Sequence, residues 1–454
     1  MLTYRELNEK SNQLAGVLRQ KGVKRHSIVG LMTRSSPEMM IGILGILKSG
    51  AAYLPMDPTH PSERVQYMMK DAGIEMLVTD TDYSQKYLFD GTIVDLSDTS
   101  IFTGDQTNVE IVNQSGDSAY VIYTSGTTGQ AKGVMVSHSS LVNYSQAMIK
   151  KASITSKDET ALLSSYAFDL GYTTVYTALI SGITLHILSE DMYRDPEQLV
   201  EYTTSCTYLK MTPSLFSILI HSGKMEKILE EGKLRMIILG GEPVNQNDLK
   251  QFRSLDHKRI IRILNHYGPT ESTIGCVTGD IDLDRIEDFS NVIGRPLDNM
   301  KTYVLDYNQQ LTPIGVPGEL YVSGEGLAIG YVNKPELTAE KFSLNPFDPG
   351  KRMYRTGDLV KRLSDGRIEF IGRIDNQVKV RGYRVELGEI ENILLTHPDI
   401  KEAVVIDREN EKGETYLAAY ITGKSKLYIA DISSYVKEYL PHYMVPTFFV
   451  EMEM

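Results

Sequence analysis

Strand-like and helix-like segments alternate along the first 300 or so residues of this chain, and this alternation limits the folds open to it. Thr3 and Glu6 form a capping-box pair ahead of a helix that ends near Gly22. SIVGLM at 27–32 reads as a short strand, and Ser36–Pro37 starts a second helix that stops at Gly50. IEMLVTD at 74–80 and RMIILGG at 235–241 continue the strands. Such alternation predicts an α/β architecture with mostly parallel sheets covered by helices on both faces. From about 300 to 374 short strands and turns take over, with Asp365–Gly366 as a hairpin turn. Beyond Asp375 the pattern predicts a small α+β domain. It has a basic strand NQVKVRGYR, a helix from Glu386 to about His397, strands EAVVID and YLAAYI, and a helix ending at Pro441. The expected division is a large N-terminal domain over 1–374, with a β-rich part over 300–374, and a small C-terminal domain over 375–454 that turns on a short polar hinge.

Residues 123–133 read YTSGTTGQAKG between two apolar-alternating runs, SAYVIY and GVMVSH. Glycines let backbone N–H groups approach a ligand closely, and hydroxyls beside a lysine suit phosphate oxygens. This is not a Walker A loop, because Ala131 precedes Lys132 and Gly133 follows it. Taken alone, such a loop is more often a solvent-facing connection.

The formal net charge of −12 argues against nucleic acid or an anionic membrane as partner. Cys206 and Cys276 lie in apolar runs and read as buried free thiols. The longest apolar run, IGILGIL at 41–47, is too short to span a bilayer, and the N-terminus has no signal-peptide pattern, so the expected location is cytoplasmic.

Nine motifs then follow one another in a fixed order: LTYREL, LKSGAAYLPMDP, the loop above, FDLG, NHYGPTE, GELYVSGEGLAIGY, YRTGDL, GRIDNQVKVRGYRVELGEIE and LPHYMVP. With them the whole chain resembles an adenylation domain of a nonribosomal peptide synthetase, in the superfamily shared with acyl-CoA synthetases and luciferases. The resemblance implies ATP- and Mg²⁺-dependent activation of an amino acid. Transfer to the phosphopantetheine thiol of a carrier domain follows, with condensation domains as further partners in antibiotic biosynthesis. It also implies roles. Thr124, Ser125, Gly126, Thr127, Thr128, Gly129 and Lys132 would cradle pyrophosphate, and Glu271 would hold Mg²⁺. Tyr267, Gly241 and Glu242 would line the adenine pocket, and Asp358 with Arg373 would meet the ribose. Asp375 would be the hinge, and Lys379 would serve the thiol-transfer arrangement or stand as a solvated charge on an edge strand.

The same matching gives a substrate pocket of Asp169, Leu170, Thr173, Lys210, Ile238, Gly240, His266, Ile274 and Gly275. Asp169 would pair with an α-ammonium group, which favours an amino acid over the fatty or aryl acid of an acyl-CoA ligase. Lys210 in TYLKMTP would otherwise snorkel to solvent. Facing the pocket with His266, it points to L-aspartate, with L-asparagine as the alternative. Ala131, Gly171 and Ile329 stand where the family has Pro, Ser and Arg. The family's tenth motif, an Asn-Gly-Lys segment, does not follow LPHYMVP. The sequence is therefore expected to be an excised fragment whose adenylation is impaired, and a non-catalytic nucleotide- or amino-acid-binding module is the contrasting reading.

Overall fold

The computed structural model describes residues 1–452 apart from 85, 127–129, 258–259, 290, 381, 410–414 and 426. The expected capping box opens helix Tyr4–Gln20: Thr3 Oγ1 accepts from the Glu6 amide, and Glu6 Oε2 accepts from the Thr3 amide. Ser36 caps helix Pro37–Ser49, which ends in left-handed Gly50. These two helices pack together on a seven-stranded sheet. Five of its strands run parallel: Ile28–Met32, Ala52–Pro55, Met76–Thr79, Thr92–Asp95 and Ser118–Thr124. Lys132–Ser137 and Gly330–Tyr331 complete one edge in antiparallel fashion. Successive strand residues enter different cores, Leu31 and Ile122 on one face and Met32 and Val121 on the other. Burial on both faces explains why these strands read as continuous apolar runs.

Among the described residues the second sheet has ten strands, one of them, Phe342–Leu344, attached beside Arg352–Arg362. Tyr208–Met211, Met236–Gly240 and Arg262–Tyr267 are parallel. The sheet then continues antiparallel through Val277–Asp280, Val292–Pro296, Ile368–Arg373, Arg352–Arg362, Pro317–Gly324 and Met300–Leu305. The strands of the β-rich region are thus an extension of the parallel sheet, joined edge to edge at 277–296, rather than a sheet of their own.

One local expectation fails. NQVKVRGYR is not one strand but the hairpin Gln377–Val380/Tyr383–Glu386. Gly382 adopts φ +84°, and a Cβ there would come within 2.5 Å of Thr212, so the turn suits glycine on both counts. Helix Leu387–Thr396 follows. Strands Ile400–Glu409, Thr415–Gly423 and Phe448–Glu451 then form a sheet with helix Ile429–Tyr439, around a core of their own that includes Val385, Ile390, Leu417 and Val436. Among the described residues no helix is long and apolar enough to cross a membrane. Cys206 and Cys276 are buried and unpaired.

Candidate active site

The parallel strands of the second sheet end at Met211, Gly240 and Tyr267, and a cleft opens at those carboxyl ends, where open α/β sheets ordinarily bind ligands. The hairpin 377–386 reaches into the same cleft from the C-terminal region.

Glu271 is fully buried at the centre of a charge cluster whose other members are Lys132 and half-buried Arg384. NHYGPTE ends in a short 3-10 turn, Thr270–Ser272, that places its carboxylate away from solvent. Lys132 Nζ lies 3.1 Å from Glu271 Oε1, and the Tyr331 hydroxyl donates to the same oxygen at 2.8 Å. Arg384 NH1 donates to Oε2 at 2.8 Å. Burial alone would raise this carboxyl, but the Arg384 and Lys132 charges hold it well below the usual carboxylate range. Lys132 pairs with Thr124 in the register of the loop's two strands, which fixes its reach. Its ammonium also sits 4.6 Å from the Tyr331 ring centroid.

The loop itself is engaged from the hairpin side. Ser125 Oγ donates to the Arg384 carbonyl at 2.8 Å, and the Gly126 amide points at Glu389 Oε2 at 3.4 Å. Glu389 in turn makes a buried ion pair with Arg64 at 2.6 Å. Thr124 Oγ1 is buried without a hydrogen-bond partner among the described residues. An orphaned hydroxyl, a weakly held amide and a buried lysine are the donor set phosphate oxygens require, so these residues fit the triphosphate of ATP. Thr127, Thr128 and Gly129 lie outside the described residues. Glu271 has the chemistry for Mg²⁺, yet both its oxygens are taken here by Lys132, Tyr331 and Arg384, so it does not fit the ion in this arrangement.

Asp358 is buried and accepts from Arg373 NH1 at 2.8 Å and from the Tyr267 hydroxyl. Arg373 also grips exposed Asp375 through Nε at 2.8 Å. Lys379 Nζ stands 5.6 Å from the Tyr267 ring centroid, so the ring expected to meet adenine is approached by an ammonium in this arrangement. Enclosure pushes the Lys379 ammonium below its usual range. Gly241, with φ +94°, is packed close to Gly382 of the hairpin, and Glu242 Oε2 accepts from the Ser214 amide at 2.9 Å.

The expected substrate residues gather on one side of the cleft. Strand register places Ile238 beside Lys210 and Gly240 beside His266. Lys210 is 2% exposed, and its Nζ has no hydrogen-bond partner among the described residues. Burial drives it down to about 7, against the pull of Asp169. Asp169 heads the turn Asp169–Gly171, and its Oδ2 is shut off from solvent with no hydrogen-bond partner among the described residues. Burial pushes this carboxyl up to about 6. Leu170 and Ile274 line the cleft. Glycine at 240 and 275 makes room: a Cβ on Gly240 would lie 2.5 Å from Lys210 Nζ, and one on Gly275 would lie 2.2 Å from His266 Cε1. Thr273 and Ile274 both hold positive φ, 58° and 67°, and for β-branched residues such strain costs about 1–3 kcal/mol each. Thr173 stands behind His266, linked to it through Tyr144.

Tyr331, Arg384, Glu389 and Tyr144 take part in the site without having been singled out by sequence. Tyr331, Arg384 and Glu389 lie inside quoted motifs, GLAIGY and RGYRVELGEIE, so the signal was present without an assigned partner. Tyr144 sits in helix His138–Lys151, where a buried tyrosine looks like ordinary core.

The family model "AMP-binding enzyme" matches residues 1–332, and "AMP-binding enzyme C-terminal domain" matches 389–454. Bacitracin synthase 3 of Bacillus licheniformis is 45% identical over 100% of this chain and 7% of its own length. Surfactin synthase subunit 2 of Bacillus subtilis (strain 168) is 43% identical over 100% of this chain and 13% of its own length. The chain thus spans a small fraction of the curated relatives it matches. A four-domain nonribosomal peptide synthetase solved with AMP and glycine superposes with a TM-score of 0.72 at 33% identity, over 99% of this chain and 33% of that one. A fused adenylation–carrier didomain from Klebsiella oxytoca gives a TM-score of 0.87 at 24% identity, over 99% of this chain and 88% of that one, a likeness of fold.

Proposed function

The chain belongs to the AMP-binding enzyme family and is an adenylating ligase, and from that premise we propose that it activates an α-amino acid, L-aspartate ahead of L-asparagine. One observation carries the substrate: two buried groups without partners among the described residues, Asp169 Oδ2 and Lys210 Nζ, belong to the same cleft. Aspartate brings the complement of both, an ammonium for Asp169 and a side-chain carboxylate for Lys210 and His266. The neutral amide of asparagine leaves a buried ammonium uncompensated, which is costly.

ATP supplies the α-phosphate to which the substrate carboxylate becomes joined. Thr124, Ser125, Gly126 and Lys132 hold the departing pyrophosphate, with Thr127, Thr128 and Gly129 completing the loop. Asp358 and Arg373 meet the ribose, and Tyr267, Gly241 and Glu242 frame the base. Glu271 would hold Mg²⁺ only in an arrangement where the hairpin has withdrawn Arg384 from its Oε2. The small domain turns on Asp375. The inserted hairpin, with Lys379 at Tyr267 and Arg384 on Glu271, supports the arrangement for the second half-reaction, in which the acyl group passes to the phosphopantetheine thiol of a carrier domain. The fused adenylation–carrier didomain supports a peptidyl carrier domain as partner, condensation domains would stand beside it, and the bacitracin and surfactin synthase names of the relatives support an antibiotic peptide as the product class.

Amino-acid-dependent ATP–pyrophosphate exchange across a panel of amino acids tests this reading. Aspartate giving the highest kcat/KM is the expected outcome. A hydrophobic amino acid giving the highest value would refute the pocket assignment.

A further inference from the structure

The buried imidazole of His266 has two nitrogens, and the structure gives them unequal surroundings. Nε2 lies 2.8 Å from the Tyr144 hydroxyl, which lies 2.6 Å from Thr173 Oγ1. All three side chains are essentially out of solvent, with Tyr144 2%, Thr173 0% and His266 4% exposed. The rings of Tyr144 and His266 meet edge to face at 5.7 Å. The other nitrogen, Nδ1, faces the space above Gly240, 3.4 Å from where a Cβ would stand, and Lys210 Nζ borders the same space. Gly275 lies directly against Cε1 and Nε2, so the ring is confined between backbone and Tyr144. Burial and the neighbouring Lys210 charge keep the imidazole neutral, and burial keeps the Tyr144 hydroxyl protonated.

A neutral imidazole donates from one nitrogen and accepts at the other, and the partner of one decides the role of the other. If Thr173 donates to Tyr144 and Tyr144 donates to Nε2, the remaining proton sits on Nδ1, aimed at the space shared with Lys210. A carboxylate only accepts, so it is served by that tautomer. With the chain reversed, Nδ1 becomes an acceptor and suits the NH₂ of an amide.

We propose that Tyr144 is a specificity-determining positioning residue, whose hydroxyl, backed by Thr173, holds His266 as the Nδ1–H tautomer so that the pocket donates to a side-chain carboxylate and discriminates against the amide. This rests on the aspartate reading above. It adds to the pocket a helix residue that touches His266 rather than substrate.

Two measurements on the full chain test the proposal, each with its own readout. Long-range ¹H–¹⁵N spectra of histidine-labelled protein, with His266→Gln used for assignment, report which nitrogen carries the proton. The Nδ1–H pattern is expected in the parent protein, shifting toward a tautomer mixture in Tyr144→Phe. An Nε2–H pattern in the parent overturns the proposal whatever the substrate is. In pyrophosphate exchange, Tyr144→Phe is expected to raise the aspartate KM about 10-fold with kcat changed less than about twofold, and to lower the aspartate-to-asparagine preference similarly. Equal losses for both amino acids, or a fall in kcat alone, would overturn it. Should Tyr144→Phe fold poorly, Thr173→Val removes the first donor of the chain and is expected to shift the same spectra and the same ratio. If the parent protein uses neither amino acid, the aspartate reading fails, while the spectra still decide the Tyr144–His266 tether.

Discussion

Replacing Lys210 by Met separates a substrate-binding charge from a structural one, because the two roles predict opposite changes. Lys210 is almost fully buried, its ammonium has no hydrogen-bond partner among the described residues, and burial lowers it to about 7 from 10.5. A shift of that size corresponds to about 5 kcal/mol of disfavoured charging, a rough ceiling. The folded-state value is depressed, so the penalty is present in full below about 7 and fades as pH rises toward 10.5. Methionine has a similar length and no charge, and exchanging a buried ion for an apolar side chain of like volume gains roughly 1–4 kcal/mol. Some of that gain is lost because Asp169 no longer has a cation nearby and moves further above its usual range. Urea denaturation at about pH 6 should therefore show Lys210→Met to be more stable than the parent, with the gain shrinking near pH 9.5. Aspartate should suffer the reverse effect. Losing a buried charge partner costs about 2–5 kcal/mol, or roughly 30- to 5,000-fold in kcat/KM by pyrophosphate exchange. A variant that is less stable at low pH and activates aspartate as well as the parent would refute the reasoning, since Lys210 would then be a support of the fold.

Other expectations follow from the same geometry. The kcat/KM for aspartate should be bell-shaped with its maximum between about 6 and 7, because Asp169 must be ionised and Lys210 protonated; a profile flat from about pH 5 to about pH 8 would contradict the pairing. His266→Glu should shift preference toward asparagine, because a carboxylate there repels the side chain of aspartate and accepts from an amide; unchanged aspartate preference would sink the assignment. Glu271→Gln should cut exchange at least about 100-fold in the pyrophosphate assay, since the loop lysine would lose its buried anion. Arg384→Ala should leave exchange within about threefold while slowing acyl loading of a carrier domain, the step in which we place the inserted hairpin; an equal loss in both assays would show that Arg384 acts in adenylation too.

The elements near the site were legible to different degrees for physical reasons. The first two helices announced themselves through local chemistry, a capping box at Thr3–Glu6 and Ser36–Pro37 ahead of Gly50. NQVKVRGYR reads as one strand from its basic and β-branched residues, but the apolar phase shifts at Gly382, from Val378 and Val380 to Tyr383 and Val385, and there the chain turns against Thr212. Lys210 by itself reads as a snorkelling lysine, and only the family resemblance puts it in the pocket; the strand register sets it beside Ile238, with His266 one strand further on.

Taken by itself, the sequence determined the fold class, the order of the motifs and the residue types at the cleft, because secondary-structure periodicity, caps and glycine positions are properties of near neighbours along the chain. It could not determine which charges meet. That Glu271 is clamped by Lys132 and Arg384, that Glu389 joins Arg64 to the Gly126 amide, and that Tyr144 links Thr173 to His266 depend on segments separated by 29 to 325 positions. Only packing in three dimensions brings such groups within hydrogen-bond reach and out of water, and at that range and burial a side chain's charge state and its role in the cleft are decided.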